Sequence, residues 1–215
     1  TGFPWVALRG VLVWGAVAAS LLSIAYSDND ARCFGKNAAG RCSPWLCLLF
    51  LPYLAALWTR EIAMSLSGRE HAFDRLPGGV SAGRRPWSAA RLPPGTRAVV
   101  DLAAEFPESR SVAERHGGRY VSFPVLEAAG RGIDDLAACI DSLPADGVFV
   151  HCAQGHGRTG FFIAALWARR GTVATLAEAE AELARVRTGV RLRRTQREIL
   201  AAGWARLAAH GGRRF

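Results

Sequence analysis

The sequence is almost without lysine: of its 27 basic residues, only Lys36 is not an arginine. Cysteine is also scarce, with five in 215 residues, which excludes a small disulfide-stapled scaffold. Half of the residues are hydrophobic and 21% are charged, so the chain is neither disordered nor collagen-like, and it contains no internal repeat or low-complexity tract. The arginine excess gives a formal net charge of +9 and predicts an anionic partner: a nucleic acid, an anionic membrane face or a phosphorylated substrate.

Charged residues are missing from two stretches near the start of the chain. Residues 10–27 and 42–59 are each uncharged and mostly apolar over eighteen positions. A membrane span needs about 20 such residues and tolerates about 17, so the sequence predicts a transmembrane helical hairpin over residues 1–60. The alternatives are two buried helices of a globular core and, for the first segment, a cleaved signal peptide.

The predicted hairpin places the loop between its two spans on one side of the membrane and both termini on the other. Basic residues flank the spans almost evenly on the two sides, so the positive-inside rule does not orient the hairpin. Cys33 and Cys42 would form a disulfide if this loop faced an oxidising compartment, and two free thiols are the alternative.

From residue 61 onward, apolar runs typical of strands alternate with helical patterns. Residues 61–76 are interpreted as a polar connector, and residues 77–215 as an α/β domain whose central sheet is covered by helices. The predicted strands cover residues 80–82, 98–102, 120–125 and 148–151; the predicted helices cover residues 108–116, 134–143, 159–170, 175–187 and 195–209.

The fourth predicted strand runs directly into residues 151–159, which read His-Cys-Ala-Gln-Gly-His-Gly-Arg-Thr and precede a helix. Ligands of open α/β sheets bind at the carboxyl ends of the strands, where this loop falls. Five residues between Cys152 and Arg158 are enough to wrap the backbone N–H groups around one tetrahedral anion at a helix N-terminus. The predicted substrate-binding residues are Ala153, Gln154, Gly155, His156, Gly157 and Arg158.

The residue types in this loop indicate nucleophilic chemistry on a phosphate group. Arg158 can bind two phosphoryl oxygens with its planar guanidinium, and the positive field lowers the pKa of Cys152 so that it is a thiolate at neutral pH. Thr159 is expected to donate its hydroxyl to the sulfur as that sulfur becomes a leaving group. His151 is interpreted as structural support for the loop, and His156 as either a substrate contact or a solvated loop residue.

No metal or cofactor is predicted. Cys152, His151 and His156 are too close in sequence for a four-ligand shell, and no second pair of ligands accompanies them. The loop also lacks the Gly-Lys-Ser/Thr ending of nucleotide-binding loops. Cys139, on the helix before the strand, is predicted to be a packing residue.

Residues 151–159 resemble the signature of the protein tyrosine phosphatase superfamily in its dual-specificity branch, and residues 79–210 are similar to that branch in the order and size of their elements. The resemblance implies hydrolysis of phosphate monoesters through a phosphocysteine intermediate, without a metal. It also implies a general-acid carboxylate after the preceding strand, where the family usually has aspartate and this chain has Glu127. Asp134 and Asp135 are the alternatives, although both are typical of a helix N-terminal turn, and Asp101 is interpreted as structural.

The resemblance implies a phosphorylated substrate, with phosphotyrosine, phosphoserine or phosphothreonine proteins ahead of a phospholipid headgroup. The signature loop has no lysine, which phosphoinositide-directed members of the superfamily tend to carry. A basic segment with arginines at positions 185, 187, 191, 193, 194 and 197 is either a solvated surface or one attracted to anionic headgroups. A catalytically silent phosphate-binding module is a further alternative, whereas nucleic-acid binding explains the charge but not the loop.

A cysteine with a low pKa is readily oxidised and belongs in a reducing cytosol. The sequence therefore predicts a two-span membrane protein with a cytoplasmic catalytic domain and with the loop that contains Cys33 and Cys42 outside.

Overall fold

In the computed structural model, which describes residues 3–66, 70–115 and 119–209, a five-stranded sheet organises the C-terminal part of the chain. Its strands are β1 (Phe73–Leu76), β2 (Val80–Arg84), β3 (Ala98–Ala103), β4 (Tyr120–Val125) and β5 (Val148–Cys152). They lie in the order β1-β2-β5-β3-β4, with β1 antiparallel to β2 and all other neighbours parallel. The α/β fold expected from the sequence is confirmed.

The helices are α1 (Phe3–Ser27), α2 (Pro44–Leu49), α3 (Leu51–Leu66), α4 (Arg110–Arg115), α5 (Ile133–Asp141), α6 (Gly157–Arg170), α7 (Leu176–Val186) and α8 (Arg194–Ala208). From α4 onward they agree with the predicted helices to within a few residues, and residue 116 of the first of these lies outside the described residues.

The central strands are apolar because both of their faces are covered. Every residue of β3 and β5 is buried, and alternate side chains face opposite layers. Val100 and Val150 join the cluster around α6, whereas Val99 and Phe149 pack with Val112 of α4. The buried helix α6 begins five residues after β5 ends, which fixes the loop between them at the carboxyl edge of the sheet.

The strand β1 lies inside the predicted connector, residues 61–76. Its four residues, Phe-Asp-Arg-Leu, form a short edge strand that is only partly buried, so they show no apolar run. The connector is therefore corrected: its first part continues α3, and its last residues belong to the sheet.

The N-terminal part contains one helix that is long and apolar enough to cross a membrane. Its apolar window covers Trp5–Ser27, and only 11% of that window is buried. Within the described residues, positions 42–59 do not form one continuous helix, because α2 ends at Leu49 and α3 begins at Leu51, so the predicted second span is not shown. Pro52 has no backbone N–H and is tolerated only in the first turn of a helix, which explains the break at Phe50.

The loop between α1 and α2 packs on the α/β domain. The side chain of Lys36 is fully buried there, with its ammonium 2.5 Å from Asp101 Oδ2. Further along, the side-chain amide of Asn29 donates a hydrogen bond of 2.9 Å to the carbonyl of Gly130. The predicted placement of the loop and the domain on opposite sides of a membrane is therefore not shown by the structure, in which the two are in direct contact.

The two cysteines of this segment are free thiols. Cys33 packs against an apolar cluster that α1, α2 and α3 share with the domain, and the sulfur of Cys42 lies 3.9 Å from the carbonyl oxygen of Ala104. Burial raises the pKa of Cys33 to about 11 and that of Cys42 to about 12, so both are protonated at neutral pH. The disulfide alternative is not formed.

Candidate active site

The carboxyl ends of the parallel strands meet at one cavity. Cys152 ends β5, Glu105 follows β3 by two residues and Glu127 follows β4 by two residues. All three side chains line the cavity together with Arg158 from the first turn of α6. The topology thus brings together residues that are up to fifty-three positions apart in the sequence, as between Glu105 and Arg158.

Cys152 is buried, and its sulfur accepts a hydrogen bond of 3.2 Å from the backbone N–H of Gly155. Burial on its own would raise the pKa of this thiol. The charge of Arg158, the hydroxyl of Thr159 and the N–H groups of His156 and Gly155 outweigh burial and lower the pKa below its ordinary value. The loop therefore favours a thiolate, as the sequence predicts.

Arg158 is held in a fixed orientation. Its Nη1 and Nη2 donate hydrogen bonds of 2.7 Å and 2.6 Å to the two carboxylate oxygens of Glu105, and Nη1 also donates to the carbonyl of Val125 at 3.0 Å. Sequence reasoning missed Glu105, because its only signal is that it follows a buried strand. The fixed guanidinium presents its remaining N–H groups to the cavity without losing side-chain entropy on binding.

Glycine is required at position 155 of the loop. Its φ of +75° lies in the left-handed region, and a β-carbon there would stand 2.3 Å from the backbone of Gly83 on the neighbouring strand. The loop residues that line the cavity are Ala153, Gln154, His156, Gly157 and Arg158. Gly155 contributes its N–H to the sulfur instead.

His151 lies beneath the loop and is fully buried. Its Nε2 is 3.0 Å from Glu108 Oε2, and its Nδ1 is 3.4 Å from the carbonyl oxygen of Cys152. Burial alone would lower the pKa of His151, but Asp101 and Glu108 raise it above its ordinary value. These contacts hold the imidazole away from the cavity, which fits a supporting position.

One potential ligand atom from each of Asp101, Glu108 and His151 lies within 4.8 Å of the others, a spacing that also suits a metal ion. The ammonium of Lys36 lies against Asp101 and supplies a positive charge to this cluster. The hydroxyl of Tyr120 donates to the same carboxylate at 2.7 Å. The interpretation of Asp101 as structural agrees with this position.

Arg187, a residue of the basic segment, stabilises the loop between Cys152 and Arg158 through hydrogen bonds to its backbone. Its guanidinium donates to the carbonyls of Gly155 at 3.0 Å and Gln154 at 3.1 Å, and it forms an ion pair of 2.5 Å with Asp74. His156 is fixed at the same place, with its Nε2 2.7 Å from a carboxylate oxygen of Glu70. Sequence reasoning did not separate this buried arginine from its exposed neighbours.

Glu127 lies at the cavity, as expected for the carboxylate after β4. Its carboxylate is 3.5 Å from Arg60 Nη1, and it is followed by Ala128, which has a left-handed φ of +63°. Asp134 and Asp135 lie in the first turn of α5, as their sequence position also indicates, and neither lines the cavity.

The helix α3 forms one wall of the cavity through Leu57, Arg60 and Glu61. Glu61 is buried, with its carboxylate 3.4 Å from Arg85 Nε, and burial raises its pKa above its ordinary value. Sequence reasoning missed this wall, because it assigned residues 42–59 to lipid and the residues after them to a connector.

Comparison with known proteins places this site in a family. Residues 79–202 match the family described as Swiss Army Knife protein, DSP-PTPase phosphatase domain. The structure of PTPMT1 in complex with PI(5)P is similar with a TM-score of 0.56 and 16% identity, over 66% of this chain and 100% of that chain. Tk-PTP in the active form aligns at 24% identity and a TM-score of 0.50, over 66% of this chain and 98% of the other.

Human DUSP28 gives a TM-score of 0.52 at 17% identity, over 64% of this chain and 96% of that chain. These likenesses establish the fold. The comparison with curated proteins gave no significant match.

Proposed function

The chain belongs to the Swiss Army Knife family of DSP-PTPase phosphatase domains, and from this premise we propose that it is a membrane-anchored, cysteine-dependent phosphatase. The observation that carries the proposal is geometric: Cys152 and Arg158 line one cavity, the sulfur accepts an N–H from the loop, and Glu105 holds the guanidinium. A thiolate beside a fixed guanidinium is suited to attack the phosphorus of a bound monoester.

In the first step, the sulfur of Cys152 bonds to phosphorus and the ester P–O bond breaks. Arg158 and the N–H groups of the loop bind the phosphoryl oxygens, and the protonated carboxyl of Glu127 gives its proton to the leaving oxygen. In the second step, water attacks phosphorus, the P–S bond breaks and Glu127 takes a proton from that water. Thr159 donates its hydroxyl to the departing sulfur, and His151 holds the loop.

Phosphorylated protein is the first candidate substrate, because the signature loop carries no lysine. A phospholipid headgroup is the second candidate, and a specific observation favours it. The wall of the cavity formed by Leu57 belongs to α3, whose Leu54 packs in one apolar cluster with Leu22 of α1. A substrate in the bilayer would therefore be close to the site.

We propose that α1 crosses the membrane and anchors the domain on the cytoplasmic side, where the thiolate remains reduced. Trp5, Val11 and Leu12 are each more than half exposed, as expected of a lipid-facing helix. The indole of Trp14 donates to the carbonyl of Leu49 at 2.8 Å, so α2 returns to the middle of α1. This contact supports retention of the first segment rather than its removal as a signal peptide.

Phosphate release from phosphotyrosine peptides, phosphoserine peptides and anionic phospholipids tests the proposal. We expect release by the wild type and none by Cys152→Ser. Glu127→Gln should slow the hydrolysis of alkyl esters more than that of an activated aryl phosphate, whose leaving oxygen needs no proton. Binding of phosphotyrosine without release by the wild type would establish the catalytically silent alternative.

A further inference from the structure

The six arginines of the basic segment fall into two groups. Four of them have partners: Arg185 pairs with Glu182, Arg194 with Glu198, Arg197 with Glu180, and the buried Arg187 with Asp74. In the described part of the chain, Arg191 and Arg193 form no ion pair. Among the described residues, the positive charge of this segment therefore lacks an ion-pair partner only at Arg191 and Arg193.

Both of these arginines line the cavity that contains Cys152. The backbone between α7 and α8 explains why, because Val190 and Leu192 are buried in the core of the domain and alternate with them. Side chains that alternate along an extended backbone point to opposite sides, so Arg191 and Arg193 face away from the core. The carbonyl of Arg191 lies 3.6 Å from where a β-carbon on Gly157 would stand, which places this segment against the signature loop.

Apart from the Cys152 thiolate, the other charged side chains that line the cavity form ion pairs: Arg158 with Glu105, Arg60 with Glu127, and Glu61 with Arg85. Among the described residues, Arg191 and Arg193 are therefore the cations of the cavity that have no ion-pair partner, and Arg60 joins them only while Glu127 is protonated. One phosphate group already has the loop N–H groups and Arg158 as its partners, so these two arginines are available to another anionic group.

We propose that Arg191 and Arg193 form a second anion site, which binds a phosphate group of the substrate that is not hydrolysed. This proposal rests on the proposed phosphatase function and names its substrate class: a headgroup with a phosphate monoester and a further phosphate. A phospholipid with a phosphorylated headgroup meets this description, because its diester phosphate is the second anion. The free headgroup bisphosphate has the same chemistry.

The membrane source is favoured by what surrounds the arginines. Leu57 lines the same cavity, and the neighbouring Trp58 is 45% exposed on α3, the helix that packs on α1. An amphipathic indole at this position suits the headgroup layer. The two arginines and the apolar side chain of Leu57 therefore line one cavity, as a substrate with a phosphorylated headgroup and acyl chains requires.

The test compares three substrates in the full-length protein: p-nitrophenyl phosphate with one phosphate, dihexanoyl phosphatidylinositol 5-phosphate as a soluble lipid, and an inositol bisphosphate as a free headgroup. For Arg191→Gln/Arg193→Gln, we expect the ratio of kcat/KM for the lipid to that for p-nitrophenyl phosphate to fall by about tenfold to a hundredfold. The loss should reside mainly in KM. Because the dihexanoyl lipid is used below its micellar concentration, attraction to a charged surface does not contribute.

Arg185→Gln/Arg194→Gln is the matched control, since both arginines are exposed, lie on the flanking helices and pair outside the cavity. It should leave the ratio unchanged. An equal ratio in the two double variants would overturn the second anion site. So would a loss of kcat/KM in Arg191→Gln/Arg193→Gln that is larger for an acidic phosphotyrosine peptide than for the lipid. If kcat/KM of Arg191→Gln/Arg193→Gln falls as much for the inositol bisphosphate as for the lipid, the result supports the site and shows that it recognises the headgroup alone.

Failure of the proposed function gives a different result. If the wild type releases no more phosphate than Cys152→Ser from any of the three substrates, the phosphatase function itself is rejected. If the wild type is active on all three and the ratio does not depend on Arg191 and Arg193, only the second anion site is rejected.

Discussion

At the scale of single residues, the state of Cys152 is decided by two opposing effects. Burial destabilises the thiolate, while Arg158 and the hydrogen bonds from the loop stabilise it, and the second effect is the larger. Glu105 contributes to this balance indirectly, because its carboxylate holds the guanidinium of Arg158 in place. The sequence identified the cysteine and the arginine by their spacing, but Glu105 became visible only when β3 and β5 were placed side by side.

Alkylation with iodoacetamide measures the ionisation of Cys152. Because its pKa is lowered, the rate of alkylation should rise with pH and reach half of its maximum below pH 9.0, the ordinary cysteine value. Thr159→Ala removes one of the stabilising groups and should move the half-maximum to higher pH. Cys139 provides an internal control, because burial raises its pKa to about 12; a fast phase that persists in Cys152→Ser would contradict the assignment.

At the scale of elements, the loop between α1 and α2 completes the α/β domain. Lys36 reaches the end of β3, where its ammonium lies against Asp101 and also donates to the carbonyl of Ala103. Two residues further on, Glu105 holds Arg158. The loop thus stabilises the end of β3, and the residues that follow this strand end include Glu105, which positions Arg158.

Lys36→Met should destabilise the domain by about 3–5 kcal/mol, because it leaves the buried carboxylate of Asp101 without its cation. Chemical denaturation of the detergent-solubilised protein measures the loss. Lys36→Met/Asp101→Asn should recover part of the stability, since it removes the unpaired charge. Arg32→Ala is the control, because its ion pair with Asp30 is exposed to solvent and should leave the stability nearly unchanged. An equal effect of Lys36→Met and Arg32→Ala would contradict the role of Lys36.

Patterns that are local in the sequence were sufficient for most elements. The buried strands β3 and β5 are short and mostly apolar, and α6 has an apolar stretch from Gly160 to Ala168, so their types could be predicted. The edge strand β1 could not, because its pairing with β2 depends on a neighbour rather than on its own composition. For residues 42–59, composition alone does not separate a segment that packs on a neighbouring helix from one that crosses lipid, and the structure does not show the second span.

At the scale of the whole molecule, the N-terminal helices and the phosphatase domain form a continuous structure. Phe34, Phe50 and Leu126 belong to one apolar cluster, so the N-terminal helices share a core with the loop that carries Glu127. Trp45 on α2 and Leu66 on α3 are 80% and 81% exposed, so these helices carry exposed apolar side chains. We expect these side chains to contact the membrane that α1 enters.

Tag accessibility in sealed vesicles tests this topology. An epitope inserted between the exposed residues Ala38 and Ala39 should share its protease sensitivity with an epitope at the C-terminus, because both lie on the side of the domain. An N-terminal epitope should show the opposite sensitivity. A loop epitope protected on the side opposite to the C-terminal one would contradict the packing of Lys36 on Asp101 and restore the two-span hairpin.

Hydrolysis through a phosphocysteine intermediate requires Cys152 to carry the phosphoryl group during turnover. Rapid acid quenching of the wild type with a substrate labelled in its phosphate, followed by peptide mapping, tests it most directly. We predict a transient label on the sulfur of Cys152 that accumulates before phosphate is released and is absent in Cys152→Ser. Phosphate release without a labelled protein, at a rate that Cys152→Ser leaves unchanged, would contradict the account.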